Sequence, residues 1–311
     1  MTGGAGFIGS SFLHYWFKRH QKDEIVNLDN LTYAADIHNL DGVERYRSTF
    51  VKGDIADRKL VEKIVKDVDA IINFAAETHV DNSIDNSTKF VHSNIVGVHA
   101  LLDVSKKLEK RFHQVSTDEV YGSLPLGSEK KFTEKSLYMP QNPYAATKAA
   151  ADHLVRAYYN TYKMNVTISN CSNNFGPRQH QEKLMPKVIT NAMKHVPIPI
   201  YGNGTQVRDW IYVDDHCSAL ELILKKGIAG ETYLVSSDNE KHNIDVVNSI
   251  LGYLGKPREL IKHVEDRPGH DVRYALSAGK IRRELGWKPT YTFEDGLKIT
   301  IDWYKRKMGE L

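Results

Sequence analysis

The stretch Gly3-Gly4-Ala5-Gly6-Phe7-Ile8-Gly9 constrains the fold of this chain more than any other. It contains Gly4-x-Gly6-x-x-Gly9 and also reads as Gly3-x-x-Gly6-x-x-Gly9. An amphipathic run from Ser10 to His20 follows, then Glu24-Ile25-Val26-Asn27-Leu28-Asp29, a short strand ending in an acid. Glycines in this order permit a tight turn and let backbone N–H groups approach a pyrophosphate at a helix N-terminus. Asp29 lies twenty residues after Gly9, which suits a carboxylate bonding the adenosine ribose of a dinucleotide. A glycine pattern alone arises by chance in surface loops. Here the helix, the next strand and the terminal acid agree with it. Only Met1 and Thr2 precede the loop, about five residues short of a usual strand. The expectation is reduced stability on an unchanged fold.

The segments that follow alternate. Residues 50–55, 70–76 and 111–116 read as strands, and residues 58–66 and 94–108 as helices. Continuous apolar strands alternating with helices predict a parallel sheet covered on both faces. Ligands in such sheets bind beyond the carboxyl ends of the strands, where Asp29, Asp54, Ala75, Ala76 and Thr117 fall. Beyond a helix carrying Tyr144 and a strand at 165–170, strict alternation stops. Residues 171–181 are loop-rich; 197–202 and 207–213 are extended; helices are predicted at 183–194, 215–225, 243–254, 278–285 and 293–307. The predicted architecture is α/β, a Rossmann-type doubly wound parallel sheet with a smaller α/β C-terminal substrate lobe. Residues 1–170 and 209–235 are assigned to the dinucleotide domain, and 171–208 and 236–311 to the lobe.

Composition excludes several function classes. A net charge of +3 over 311 residues, with no basic block, argues against a nucleic-acid partner and a membrane-binding helix. The two cysteines, Cys171 and Cys217, match no metal-ligand spacing and no disulfide framework, so no metal site and a reducing cytoplasm are expected. No apolar run is long enough to span a bilayer, and the start lacks a signal-peptide pattern.

The chemistry is concentrated in Gln114-Val115-Ser116-Thr117-Asp118-Glu119-Val120-Tyr121-Gly122 and Tyr144-Ala145-Ala146-Thr147-Lys148. Tyr144 and Lys148, four apart, share one helix face. A tyrosine with a pKa near 10 is a poor base at neutral pH, and a lysine one turn away is expected to lower it. Tyr-x-x-x-Lys alone more often marks a surface tyrosine and a solvated lysine. Thr117-Asp118-Glu119 adds weight. Adjacent strand residues point to opposite faces, so both acids address one ligand only if the strand ends there. Two carboxyl groups in different environments can then divide into an acid and a base. The bland alternative is a capping Thr and Asp with an exposed Glu.

Together these motifs resemble the extended short-chain dehydrogenase/reductase family, and the Thr-Asp-Glu triplet resembles the sugar-nucleotide 4,6-dehydratases within it. Further matching stretches are 29–33, 75–81, 173–177, 182–184, 199–202, 208–210 and Asp266-Arg267-Pro268-Gly269-His270. Phe175 stands where the family often has Tyr, and Thr78 where it often has Ser. The resemblance implies NAD as cofactor, dTDP-glucose as substrate and a place in deoxysugar biosynthesis. Catalytic roles are implied for Thr117, Asp118, Glu119, Tyr144 and Lys148. It implies NAD contacts for Gly3, Gly6, Phe7, Ile8, Gly9, Asp29, Leu31, Thr32, Asp54, Ile55, Ala75, Ala76, Ser93, Tyr144, Lys148 and Asn174. Asp29 argues against NADP, because a carboxylate repels a 2′-phosphate. Thr78, Thr117, Asn173, Lys183, Leu184, Pro199, Tyr201, Arg208, Asn243, Arg267 and His270 would line the sugar-nucleotide site. Arg208 and Arg267 suit a diphosphate by charge and fork geometry. Tyr201 offers an aromatic face to a pyrimidine, whereas His79 and Asp81 receive no role. A homodimer through paired helices, 94–108 and 144–162, is also implied. The rivals are the same dehydration on UDP-glucose, a 4-epimerase without need of the Asp118–Glu119 pair, and a non-catalytic dinucleotide-binding protein.

Overall fold

The computed structural model describes residues 1–43, 46–267 and 269–310; Pro268 of the Asp266–His270 motif lies outside them. The strands are β1 (Ile25–Asp29), β2 (Ser48–Lys52), β3 (Ala70–Asn73), β4 (Arg111–Thr117), β5 (Val166–Cys171), β6 (Asn173–Phe175), β7 (Ile198–Tyr201), β8 (Val207–Tyr212), β9 (Thr232–Val235), β10 (Glu240–His242) and β11 (Ile261–Val264). β1 pairs with β2, and β3, β4, β5 and β9 pair in that order, all parallel. Thr2 forms parallel bridges to both Leu28 and Asn73 and so joins the two groups. Its amide donates to Ile72 O at 3.1 Å, and the Leu28 amide donates to Met1 O at 3.0 Å. The residues before the glycine loop therefore occupy the centre of the sheet, in the order β2–β1–Thr2–β3–β4–β5–β9.

Both sheet faces are buried. Ile71 belongs to a cluster with Val61, Leu101, Phe112, Val155 and Ile168, whereas its neighbour Ile72 packs with Phe12, Val115, Val213 and Leu220. Successive strand residues point to opposite faces, so an apolar pair in a row requires cover on each side. Helices Arg58–Val65, Val98–Lys107 and Pro143–Tyr162 cover one face; Phe7–Phe17 and Val213–Lys226 cover the other. Before Val98 the chain makes a π-helical turn, His92–Gly97, which replaces the start of the helix expected at Asn94.

The smaller set of elements comprises β8 flanked by β6 and β10, and the parallel pair β7–β11. Its core gathers Phe175, Met185, Ile189, Trp210, Val246, Ile250, Phe293 and Ile301. Strand β6 lies in a stretch expected to be loop. Three residues carry too little periodicity to be read, and β6 is held by pairing with β8. Short helices at Ile37–Leu40, Val80–Asp85 and Thr88–Val91 were also not legible, being shorter than the window in which helical period shows.

The glycine loop is set by close backbone approach. Gly3 has a φ of +70°, and a Cβ there would lie 2.6 Å from Ala75 N. A Cβ on Gly9 would lie 2.3 Å from Gly3 O, whereas one on Gly6 would have that oxygen as its nearest neighbour at 3.4 Å. Gly9→Ala must therefore shift backbone, and Gly6→Ala need not. Gly9→Ala is expected to lower stability by about 1–3 kcal/mol, with Gly6→Ala near wild type; thermal melts of both variants check this.

Candidate active site

A long cleft opens at the carboxyl ends of the parallel strands. Its lining includes Gly3, Gly6, Phe7, Ile8, Gly9, Asp29, Thr32, Asp54, Ile55, Ala75, Ala76, Ser93, Tyr144, Lys148 and Asn174. Helix Phe7–Phe17 starts here with Gly6 as its N-cap and no side-chain cap, leaving first-turn N–H groups for a ligand. Gly6 lines the cleft with little packed against it, so bare backbone faces the space where a pyrophosphate would approach. The donor set fits a dinucleotide. Leu31 does not line the cleft; its amide instead donates to Asp29 Oδ1 at 2.8 Å. Asp29 Oδ2 takes the Ala5 amide at 2.8 Å, so this carboxylate anchors the glycine loop from β1. Each oxygen keeps acceptor capacity for a ribose hydroxyl.

Strand β4 ends at Thr117, and Asp118–Tyr121 turn as a 3₁₀ helix. Thr117 caps this turn, its hydroxyl accepting the Glu119 amide at 3.3 Å and donating to Asp118 Oδ1 at 3.2 Å. The strand thus stops where it must for both acids to border one cleft. Helix Pro143–Tyr162 starts with Asn142 accepting the Ala145 amide at 2.8 Å and with proline in its first turn. This places Tyr144 in the first turn and Lys148 in the next. The Asn142 amide also reaches Glu119 Oε2 at 3.4 Å, a contact between the two motifs that sequence reasoning missed.

Burial dominates the electrostatics. Asp118 is 2% exposed, and burial, then the neighbouring Glu119 charge, push its carboxyl well above the ordinary range. Its Oδ2 is buried with no partner among the described residues. A protonated Asp118 therefore holds a donor ready for a ligand oxygen. Burial also raises Glu119, less strongly, opposed by Lys183 and Arg208. The expected action of Lys148 on Tyr144 is corrected here. Burial raises Tyr144 well above 10, with the charge of Glu119 adding to it and the Thr117 hydroxyl opposing. Lys148, 4% exposed, donates Nζ to Val115 O at 2.8 Å, so its charge is tied to β4. Burial lowers Lys148, opposed by Asp152, which sits one turn further along the helix.

A second cleft adjoins the first and shares Glu119, Asn173, Asn174, Gln179, Glu182 and Lys183 with it. Leu184, Pro199, Tyr201, Arg208, Asn243, Arg267 and His270 line it. Thr78 and Thr117 line the first cleft, and Lys183 Nζ donates to Thr78 O at 3.0 Å. Arg208 does not pair with Asp209. It is buried, donates to Val207 O at 2.9 Å and Asp271 O at 2.8 Å, and lies 4.2 Å over the Tyr274 ring. Asp209 instead accepts from Ser236 and from the Asn239 amide. Asp81 accepts the Tyr201 hydroxyl at 3.2 Å and pairs with Arg267 at 3.3 Å. The Arg267 guanidinium lies 4.6 Å over Tyr201, covering one face of the ring expected to meet a base. Asp271 and Tyr274 were not singled out and Asp81 was named without a role, because Arg208, which meets the first two, and Tyr201 and Arg267, which meet Asp81, come from distant parts of the chain. Buried atoms without partners among the described residues collect along both clefts: Ser172 Oγ, Asn173 Oδ1 and Gln179 Oε1, then Gln206 Oε1, Trp210 Nε1, Asn243 Oδ1 and Asp271 Oδ1. Buried polar groups are ordinarily paired, and these exceptions belong to residues that line the clefts.

Asp118 binds more protons folded than unfolded, so its contribution to stability falls as pH rises from its ordinary 3.8 through the raised folded value. Asp118→Asn removes that cost. The variant should melt above wild type at neutral and alkaline pH, by roughly 1–3 kcal/mol of stability. The gap should close as pH falls toward 3.8; melts across a pH series read it directly.

A family model for GDP-mannose 4,6 dehydratase matches residues 1–300. A dTDP-glucose 4,6-dehydratase of Xanthomonas campestris pv. campestris (strain B100) is 48% identical, over 98% of this chain and 92% of its own length. The enzyme of that name from Salmonella typhimurium is 47% identical, over 98% of this chain and 91% of its own. The crystal structure of a dTDP-glucose 4,6-dehydratase from Bacillus anthracis in complex with NAD superposes with a TM-score of 0.93 at 44% identity, covering 99% of this chain and 96% of that one. One from Streptomyces venezuelae, with NAD and TDP bound, gives 0.95 at 43% identity, covering 99% and 97%. The chain belongs to the extended short-chain dehydrogenase/reductase family, in its dTDP-glucose 4,6-dehydratase branch.

Proposed function

We propose that this protein is an NAD-dependent lyase that converts dTDP-glucose to its 4-keto-6-deoxy derivative. The observation that carries this reading is the Thr117-Asp118-Glu119 turn facing Tyr144 at the junction of the two clefts. The first cleft holds the dinucleotide through the glycine loop, and the second holds the sugar nucleotide, with Lys183, Arg208 and Arg267 toward its diphosphate. Bound in the first cleft, NAD would supply the hydride acceptor for C4 and the hydride donor for C6, with no net change in its oxidation state.

Tyr144 takes the C4 hydroxyl proton as C4 is oxidised; burial favours its protonated form, and the positively charged nicotinamide ring of bound NAD⁺ would favour the phenolate that this step needs. The C4 ketone then acidifies the C5 proton, and Glu119 removes it. Asp118, kept protonated by burial, gives its proton to the C6 hydroxyl so that water leaves. C6 gains the hydride and C5 is reprotonated. Elimination needs an acid and a base together, whereas 4-epimerisation does not, which favours dehydration over the epimerase alternative. Lys148 anchors the Tyr144 helix to β4 and adds positive charge behind the site.

Among the described residues no helix is long and apolar enough to cross a membrane. A cytoplasmic location fits the buried free thiols Cys171 and Cys217. A homodimer through helices Val98–Lys107 and Pro143–Tyr162 fits the exposed Val91, Val96 and Tyr162 at the ends of that pair. Light scattering on the purified protein reads the mass.

The test is mass loss of one water from dTDP-glucose, with UDP-glucose in parallel. Loss from dTDP-glucose should be the faster; no loss from either, in folded protein with NAD, would refute the reading. Glu119→Gln should lower turnover by about 10²–10⁴-fold while still forming NADH when substrate is added. Tyr144→Phe should form none, which absorbance at the nicotinamide band reports.

A further inference from the structure

Asn170 on β5 is fully buried and lines neither cleft, so it acts only through other residues. Its side-chain amide reaches both ends of the turn that carries Asp118 and Glu119. Nδ2 donates to Thr117 O at 3.1 Å, where the turn starts, and to Asp152 Oδ2 at 3.0 Å on helix Pro143–Tyr162. Oδ1 accepts the Tyr121 hydroxyl at 3.4 Å, from the end of the turn. The Tyr138 hydroxyl also lies 3.4 Å from Oδ1, but it is closer to Asp152 Oδ2, at 2.9 Å. A backbone carbonyl only accepts, so the amide nitrogen must face Thr117 O, and the carbonyl oxygen is left to the tyrosines. The amide is fixed in one sense, with both N–H groups used.

Strand register explains why a side chain is needed there. β4 and β5 pair with Ser116 opposite Asn170 and Thr117 opposite Cys171, where the pairing stops. The carbonyl of the last β4 residue thus meets a side-chain donor from the neighbouring strand. A backbone donor in its place would extend the ladder into Asp118; the amide satisfies the carbonyl and frees the chain to turn. Because the peptide is planar, that bond also orients the link from Thr117 to Asp118. At the other end Tyr121 is held by its ring, which stacks on Phe132 with centroids 5.2 Å apart and stands edge-on to Tyr138 at 4.9 Å. Tyr144 is placed separately, by the Asn142 cap of its own helix and by Ser83 Oγ, which accepts the Tyr144 amide at 3.2 Å.

We propose that Asn170 is a positioning residue for the elimination step, holding Asp118 and Glu119 against the sugar through Thr117 O and the Tyr121 hydroxyl. In that step Glu119 takes the C5 proton, the C6–O bond breaks, a C5–C6 double bond forms, and the Asp118 proton leaves with the hydroxyl as water. Both transfers need hydrogen-bond reach, and a misplacement of about 1 Å costs roughly 10²-fold. Oxidation at C4 runs through Tyr144 instead. Loss of the Asn170 amide should therefore slow loss of water more than oxidation. The inference rests on reading the site as that of a 4,6-dehydratase.

The test mixes NAD-loaded protein with dTDP-glucose and follows NADH by absorbance and loss of water by mass. Asn170→Leu keeps the shape without the amide. Its water loss should fall about 10–100-fold while NADH formation stays within about threefold of wild type, so that NADH accumulates. KM for dTDP-glucose should stay within about twofold, because the bonds lost are to the turn and not to the ligand. Tyr121→Phe removes one bond only; NADH should again accumulate, with water loss down by about 3–10-fold. This milder variant decides the matter if Asn170→Leu does not fold. Water loss at the wild-type rate in Tyr121→Phe or in folded Asn170→Leu would overturn the proposal. So would an equal fall in both steps without accumulated NADH, the mark of general loosening. A wild type that neither forms NADH nor loses water with dTDP-glucose would instead strike the proposed function, and this inference with it.

Discussion

Parallel strands all end at one edge of a sheet, and the candidate reacting groups of this protein hang from that edge. The constraint is backbone hydrogen bonding. β4 continues its ladder with β5 as far as Thr117, where the Thr117 hydroxyl accepts the Glu119 amide and turns the chain. Without that turn, Asp118 and Glu119 would face opposite sides of the sheet. Asp29 does the matching work at the end of β1, where its two oxygens hold Ala5 and Leu31 amides and fix the glycine loop. The two cleft-forming motifs are thus held by carboxylate and hydroxyl acceptors at strand ends.

Behind the site lies a buried polar layer. Asn170 on β5 donates to Thr117 O at 3.1 Å and to Asp152 at 3.0 Å, and Asp152 accepts the Tyr138 hydroxyl at 2.9 Å. Arg156 donates to that hydroxyl at 2.6 Å. On the other side, Asn94 in the π-helical turn bridges the Glu77 backbone and Thr147, directly under Tyr144. π turns commonly re-aim a side chain at a functional site, and here one carries Ser93 and Asn94 together. The pairs on either side of helix Pro143–Tyr162 hold Tyr144 and Lys148 from two directions.

Much was legible in the sequence because it is local. Helices Asn243–Leu254 and Phe293–Lys307 stand at the expected residues, and the strand ending at Thr117 is read from its own composition. The glycine loop announces itself because close approach and a positive φ at Gly3 leave few other residues possible. Strand β6 and the helix Val80–Asp85 were illegible, being too short for periodicity to show. The partnership of Asp81 with Tyr201 and Arg267 crosses more than a hundred residues, and no spacing rule reaches that far.

The sequence by itself determined the candidate reacting residues, the strand–helix order and the edge of the sheet at which the cleft opens, since periodicity, glycine and adjacent acids are local properties. Only the tertiary structure decided the protonation and orientation of those residues. Burial favours the protonated forms of Tyr144 and Asp118, and one Lys148 N–H donates to a β4 carbonyl while its charge stays behind the site. The reason is that solvation and hydrogen-bond partners are set by whatever packs around a side chain, and here that comes from elements far away in the chain.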